Sequence, residues 1–304
     1  MVITTYNRSG FLGGLLASIA AMDPAPDGVV VVDNASTDDT PQVIRTAAAA
    51  MRIPVVHHRL AVNAGGAGGF AAGVARALDE GAEWLWLMDD DVEALPDALA
   101  KFRRWMGTYV CIHGRRWAAD GTPFFWQNRF HDRLGIFLPV AGDVFAESDV
   151  FRTDVGCFEG MLVRADVVRE VGLPDARFFL TWDDAIYGWL ISRRHPVVYV
   201  NDFVLRKVRE QRSIDLGVRH LNDSSDLSRR YVMRNRAYVA NYLRAEGAYS
   251  PLWFAVGTAL TAAKEVLRVA AVERRPRGLD ALWRGWRESR RLRRRPWAPM
   301  PPIA

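Results

Sequence analysis

Cysteine is almost missing from this sequence. Cys111 and Cys157 are the only two in 304 residues, and their spacing matches no metal motif. That argues against a disulfide framework and makes a reducing cytosol the expectation. Long apolar runs are missing too. The charge-free stretch from Tyr249 to Ala263 is shorter than the ~20 residues a spanning helix requires. No leader is expected, because Met1-Val2-Ile3-Thr4-Thr5 runs straight into a strand pattern. Internal repeats and low-complexity segments are absent. So are the Gly-x-Gly-x-x-Gly dinucleotide fingerprint and the Gly-Lys-Ser/Thr of a P-loop.

What is present is ordinary globular composition, 50% hydrophobic and 25% charged, with ample length for a sizeable core. The net charge of +5 is unevenly spread. Arginine crowds the stretch from Arg274 to Arg295, and the remainder is close to neutral or acidic. The basic character thus belongs to one end and is no general nucleic-acid signature.

Apolar runs at Val2–Thr5, Val29–Val32, Val55–His58 and Trp84–Met88 alternate with helical patterns. This predicts an α/β fold with a mostly parallel sheet covered by helices on both faces. Residues 107–154 read as irregular strands over a substrate cleft. Phe178 to Thr181 reads as strand-like, and the chain beyond about residue 222 as helical. The pattern divides into a catalytic region, 1–215, and a helical basic region, 216–304.

Four constellations carry chemistry. Trp84-Leu85-Trp86-Leu87-Met88 leads into Asp89-Asp90-Asp91. In open α/β sheets ligands bind beyond the carboxyl ends of strands, where hard oxygen donors suit Mg²⁺ or Mn²⁺. A solvated acidic turn is the plain alternative. Asp33 and Asn34 end the four-valine strand, where a carboxylate either meets a ligand base or ribose or only shapes the turn. Asn63-Ala64-Gly65-Gly66-Ala67-Gly68-Gly69 reads as a glycine loop opening a helix. It would admit a diphosphate, or simply pack the helix on the sheet. Trp182-Asp183-Asp184 suits a general base whose pKa rises in a partly apolar pocket, or a helix N-cap. The run Arg229-Arg230-Tyr231-Val232-Met233-Arg234-Asn235-Arg236 reads as a solvated face rather than a phosphate site.

In this order, with a Thr4-Thr5-Tyr6-Asn7-Arg8 start, these segments resemble the inverting family-2 glycosyltransferases of GT-A fold. The likeness is greatest to the actinobacterial galactofuranosyltransferases of cell-wall galactan. It spans about residues 2–245. The resemblance implies that Thr4, Tyr6 and Arg8 line the nucleotide pocket and that Asp33 holds the uracil. Asn63 and Gly66 would lie near ribose and diphosphate, and Asp89 and Asp90 would contact the donor. Asp89 and Asp91 would hold Mn²⁺ or Mg²⁺. Asp184 would be the base, with Asp183 and Trp182 beside it. The chain departs from the family where a metal-binding histidine is common. Arg206 and Lys207 stand in that region, and His220 is a distant substitute.

The implied reaction moves galactofuranose from UDP-galactofuranose onto a polyprenyl-diphosphate-linked glycan. The alternatives are a dTDP-rhamnose-dependent rhamnosyltransferase of the same fold and a non-catalytic nucleotide-sugar- or glycan-binding protein. Leucine and tryptophan among arginines in the C-terminal region fit a helix lying on an anionic membrane surface. A peripheral place on the cytoplasmic face of the plasma membrane is expected, with no nucleic-acid partner.

Overall fold

The computed structural model describes residues 1–125, 127–209, 213–215, 220–222, 225–273 and 278–303. The first half alternates strand and helix. β1 (Val2–Thr5), α1 (Ser9–Ala20), β2 (Val29–Asp33), α2 (Thr40–Ala50), β3 (Val55–Arg59), α3 (Gly65–Asp79) and β4 (Trp84–Asp89) follow one another. A short β5 (Val92–Ala94) and α4 (Ala98–Met106) come next. Then come β6 (Cys111–Trp117), β7 (Pro123–Phe124), a β8 (Asn128–His131) and β9 (Ile136–Pro139) hairpin, and β10 (Val150–Thr153). β11 (Met161–Arg164), α5 (Ala165–Val171), α6 (Asp183–Ser192) and β12 (Val197–Lys207) complete the main sheet. Beyond a small β13 (Ser213–Asp215) and β14 (His220–Asn222) pair lie α7 (Asp226–Arg234), α8 (Arg236–Ala245), α9 (Pro251–Leu267) and α10 (Gly278–Leu292).

The main sheet runs β10-β12-β6-β11-β4-β1-β2-β3. β3, β2, β1 and β4 are mutually parallel, and β12 is parallel to β6. β11 is inserted antiparallel between β4 and β6. Alternate residues of one strand serve opposite layers, as a sheet covered on both faces requires. Ile3, Val29, Val31, Trp86 and Met88 face α1 and α4 through Leu12, Leu15, Leu16 and Phe102. Val2, Val30, Val32, Leu85 and Leu87 face α3, α5 and α6 through Phe70, Val74, Val168 and Ile191. A third apolar cluster joins α6 to the C-terminal helices. In it Trp182, Ile186 and Trp189 pack with Tyr238, Val239, Leu243 and Phe254.

Four local expectations change. Cys111–Trp117 lies inside the sheet, between β12 and β11, rather than in a loose cover. The glycines at 65–69 form the first turns of α3 rather than a loop ahead of it. They are needed for close packing. A Cβ on Gly65, at φ 73°, would lie 2.1 Å from the Phe179 carbonyl oxygen, and one on Gly69 2.3 Å from Thr4 Cγ2. Phe178 to Thr181 is no strand, since Phe179 and Thr181 have φ of 63° and 66°. Finally, Arg229 and Arg236 are fully buried rather than solvated. Arg229 pairs with Asp226 and Glu273, and Arg236 donates to the Leu134 carbonyl at 2.9 Å.

Candidate active site

The carboxyl ends of β1, β2 and β4 form one edge of the sheet, and the acidic run ends β4 there. Carboxylate oxygens of Asp89, Asp91 and Glu159 all lie within 4.8 Å of one another. Glu159 was not among the residues the sequence suggested. It precedes Gly160, whose N–H donates to the Leu87 carbonyl at 2.8 Å and so ties the segment to β4. Burial, then the charges of Glu159, Asp91 and Asp90, push the Asp89 carboxyl well above its ordinary range. Burial alone would raise Glu159 too. The charges of Arg116 and Lys207 outweigh it and hold that carboxyl low.

Those two cations come from neighbouring strands. Arg116, buried on β6, donates to both the side chain and the carbonyl of Glu159, the latter at 2.9 Å. Lys207 ends β12, and its Nζ lies 2.7 Å from Glu159 Oε2. Val208 N–H meets the Asp91 carbonyl at 3.0 Å and fixes this register. Of the two basic residues at the position where a metal ligand was expected, only Lys207 faces the cluster. Arg206 is turned toward Glu93, 3.8 Å away. The side chain of His220 lies outside the described residues.

Asp90 takes a different direction from its two neighbours. It accepts from Thr5 Oγ1 at 2.7 Å and from Arg8 Nη1 at 2.9 Å, and so holds Arg8 at the mouth. Asp33 is completely buried. It accepts from Ser36 N–H and Arg59 Nη1, both at 2.7 Å, with His57 Nε2 3.4 Å away. Tyr6 is 43% exposed at the end of β1. Thr4 Oγ1 is buried beside Gly69 without a hydrogen-bond partner. Asn34 bridges to the start of α3, accepting from Ala64 N–H at 3.2 Å, and Asn63 caps Gly65 N–H at 2.8 Å. Within this glycine run a Cβ on Gly66 would meet nothing within 4 Å, whereas those on Gly65, Gly68 and Gly69 would collide.

Trp182, Asp183 and Asp184 open α6. Trp182 sits at φ 70°, stacks on Phe137 and donates from Nε1 to the Val232 carbonyl at 3.0 Å. Asp184 Oδ1 accepts from Ala185 N–H at 2.7 Å. Burial raises Asp184 to about 6, and Asp183, which also faces the Asp184 charge, goes higher still. The charges of Glu159 and Arg116 reach Asp184, which places it within electrostatic range of the acidic cluster. A carboxylate poised near neutral pH beside a cluster of hard oxygen donors can take a proton while a charged leaving group is held.

Comparison with known proteins places the chain in a family. Residues 1–172 match the family model described as glycosyl transferase family 2. The chain belongs to that family, and its fold is GT-A. It is 31% identical over 196 residues to the galactofuranosyltransferase GlfT1 of Mycolicibacterium smegmatis, covering 60% of this chain and 61% of that one. The same protein of Mycobacterium tuberculosis strain H37Rv is 31% identical over 192 residues, with 60% of each chain covered. The chain thus spans about three fifths of these relatives' length. Residues 1–349 of S. aureus TarS superpose with a TM-score of 0.56 at 14% identity, over 89% of this chain and 71% of that one. A Pyrobaculum calidifontis mannosyltransferase solved with GDP-Man and Mn²⁺ gives 0.52 at 14%, over 96% and 85%. At such identities the structural likeness speaks for the fold alone.

Proposed function

We propose that this chain transfers a sugar, with inversion, from a UDP-sugar to a glycan hydroxyl, with Asp184 as general base. The observation that carries the reading is the convergence at one sheet edge. The Asp89–Asp91–Glu159 oxygen cluster lies within reach of the charge on a base carboxylate that burial has raised. UDP-galactofuranose is the proposed donor, supported by the 31% identity to proteins named galactofuranosyltransferases. Tyr6, Arg8, Asn63 and Gly66 would line the nucleotide site, with Asp33 buried and holding Arg59.

Asp184 Oδ1 is taken by Ala185 N–H, so Oδ2 receives the proton of the acceptor hydroxyl. The acceptor hydroxyl oxygen, losing that proton, attacks the anomeric carbon as the bond to the diphosphate breaks, and UDP leaves from the opposite face. One carboxylate suffices, since no covalent sugar–enzyme intermediate forms. Asp89, Asp91 and Glu159 fit Mn²⁺ or Mg²⁺ by their hard oxygens and by the mutual repulsion that raises Asp89. When bound there, the ion supplies charge neutralisation to the departing diphosphate. Arg8 and Lys207 add fixed positive charge at the same place.

The helical region, 216–304, is the proposed acceptor and membrane side, completing the catalytic region 1–215. Among the described residues no helix is long and apolar enough to cross a membrane. α9 instead exposes Leu252, Val256 and Leu260, spaced four apart on one face, along with Trp253. With the arginines of α10 this face suits an anionic lipid surface, where a polyprenyl-linked acceptor would reside.

The deciding experiment is Asp184→Asn in a transfer assay with UDP binding measured in parallel. Transfer should collapse by at least a thousandfold while UDP still binds. Undiminished transfer would remove Asp184 from its role.

A further inference from the structure

The backbone just ahead of the two active-site carboxylates is strained. Phe179, Thr181 and Trp182 have φ of 63°, 66° and 70°. Left-handed backbone is rare for β-branched and bulky residues, and each such residue is energetically costly. A segment of this kind persists only where its surroundings over-determine it.

The surroundings here converge on one side chain. Asn235 Nδ2 donates to the carbonyls of Phe178, Leu180 and Thr181 at 2.9, 2.8 and 3.1 Å. Asn235 is fully buried at the junction of α7 and α8. Its own Oδ1 accepts from Arg234 Nη1 at 2.7 Å, which fixes the amide with its N–H groups toward the loop. Arg234 Nη1 adds a bond to the Arg177 carbonyl at 3.0 Å. Phe179 stacks on Tyr231 with ring centres 4.9 Å apart, and Trp182 is tied to the Val232 carbonyl. On the opposite side Ala67 N–H, in the first turn of α3, donates to the Phe179 carbonyl at 3.2 Å. The loop is thus held between the glycine start of α3 and the C-terminal helices.

We infer that Asn235 is a positioning residue for transfer: its amide gathers three carbonyls and sets the 178–182 loop in the one conformation that presents Asp184 to the acceptor. The inference rests on the reading of Asp184 as base. A cheaper loop would not need three left-handed residues in four positions. A buried amide with both N–H groups committed to one loop has no other contact to serve on that side. The C-terminal helices therefore contribute to catalysis through this loop.

The test uses the full chain with Asn235→Asp and Asn235→Ala. The first keeps the shape and turns a donor into an acceptor facing three carbonyls. The second deletes the donors without adding repulsion. Active protein is counted by the stoichiometry of UDP binding, so partial unfolding does not enter the rate. Per UDP-binding site, kcat should fall on the order of 100-fold, as expected when a reacting group is misplaced by about 1 Å. KM for the donor should change less than about threefold. The acid limb of kcat should also move toward the ordinary carboxylate range as the loop opens Asp184 to water. If Asn235→Asp loses UDP binding, Asn235→Ala decides. Wild-type kcat per site with an unmoved acid limb would overturn the inference. Asp184→Asn separates the two failures. If it abolishes transfer while the Asn235 variants behave as wild type, only the positioning role falls. If it leaves transfer intact, the reading of the base and this inference fall together.

Discussion

The proposed base, kept ready by burial, should cost the fold stability, and that cost is measurable at Asp184. Its carboxyl rises from 3.8 to about 6 on folding. Each unit corresponds to about 1.36 kcal/mol, so full ionisation would cost about 3 kcal/mol. The half-buried side chain and its coupled titration with Asp183 reduce this to about 2 kcal/mol. The folded value is the higher one, so the native state binds more protons than the unfolded chain between the two values. Stability therefore falls as pH rises through that window. Below about pH 3 the carboxyl is neutral in both states and costs nothing. Asn at 184 stays neutral at every pH and still accepts from Ala185 N–H. Asp184→Asn should thus be more stable than wild type at pH 8, by roughly 5 °C in Tm for a chain of this size. It should match wild type near pH 3. Thermal unfolding at the two pH values measures this directly. A gain equal at both, or a loss at pH 8, would refute the argument. The same value sets the acid limb of kcat near pH 6. Measurement at saturating donor separates it from Asp89, whose raised carboxyl would on the proposed reading act on nucleotide binding instead.

Two further outcomes follow from the charges and the exposed faces. In calorimetric UDP titrations, Mn²⁺ should tighten binding at least tenfold for the wild type and much less for Glu159→Gln; equal affinity with and without the ion in the wild type would dismiss the oxygen cluster as its site. On anionic liposomes, Leu252→Glu with Leu260→Glu should float poorly compared with wild type, and unchanged flotation would remove α9 from membrane contact.

The parallel half of the fold is written locally. Four apolar runs, each followed by a helical pattern, place β1 to β4, because a strand buried on both faces must be apolar throughout. The acidic ending of β4 and the carboxylates opening α6 are equally visible, since each is a short run at an element boundary. Glu159 has no such mark. Phe158-Glu159-Gly160 matches no motif, and it reaches the cluster only because β11 is inserted antiparallel beside β4. Phe178 to Thr181 looked like a strand because aromatic and β-branched residues favour one. Its true conformation is dictated by Asn235, over fifty residues later in the chain. The arginines of α7 and α8 misled for the same reason. A charged run reads as solvated unless the partners are known, and Glu265 and Glu273 are distant in sequence.

Strand direction explains how so many separated charges share one mouth. β4 and β6 both end at the same edge, bringing Asp89 and Arg116 there. β12 runs parallel to β6 and pairs Leu205 with Arg116, so Lys207 arrives at that edge as well. β11 runs the other way, so its beginning rather than its end lies there, with Glu159 just ahead of Met161. Three carboxylates are thereby set against two fixed cations. With Arg8 paired to Asp90, ionising Asp89 there is unfavourable, as its raised carboxyl shows, and a diphosphate adds further negative charge unless one more positive charge is supplied. On the proposed reading the ion and the nucleotide should therefore bind together, each weak without the other. Arg116 and Lys207 keep Glu159 ionised for that moment rather than replacing the ion.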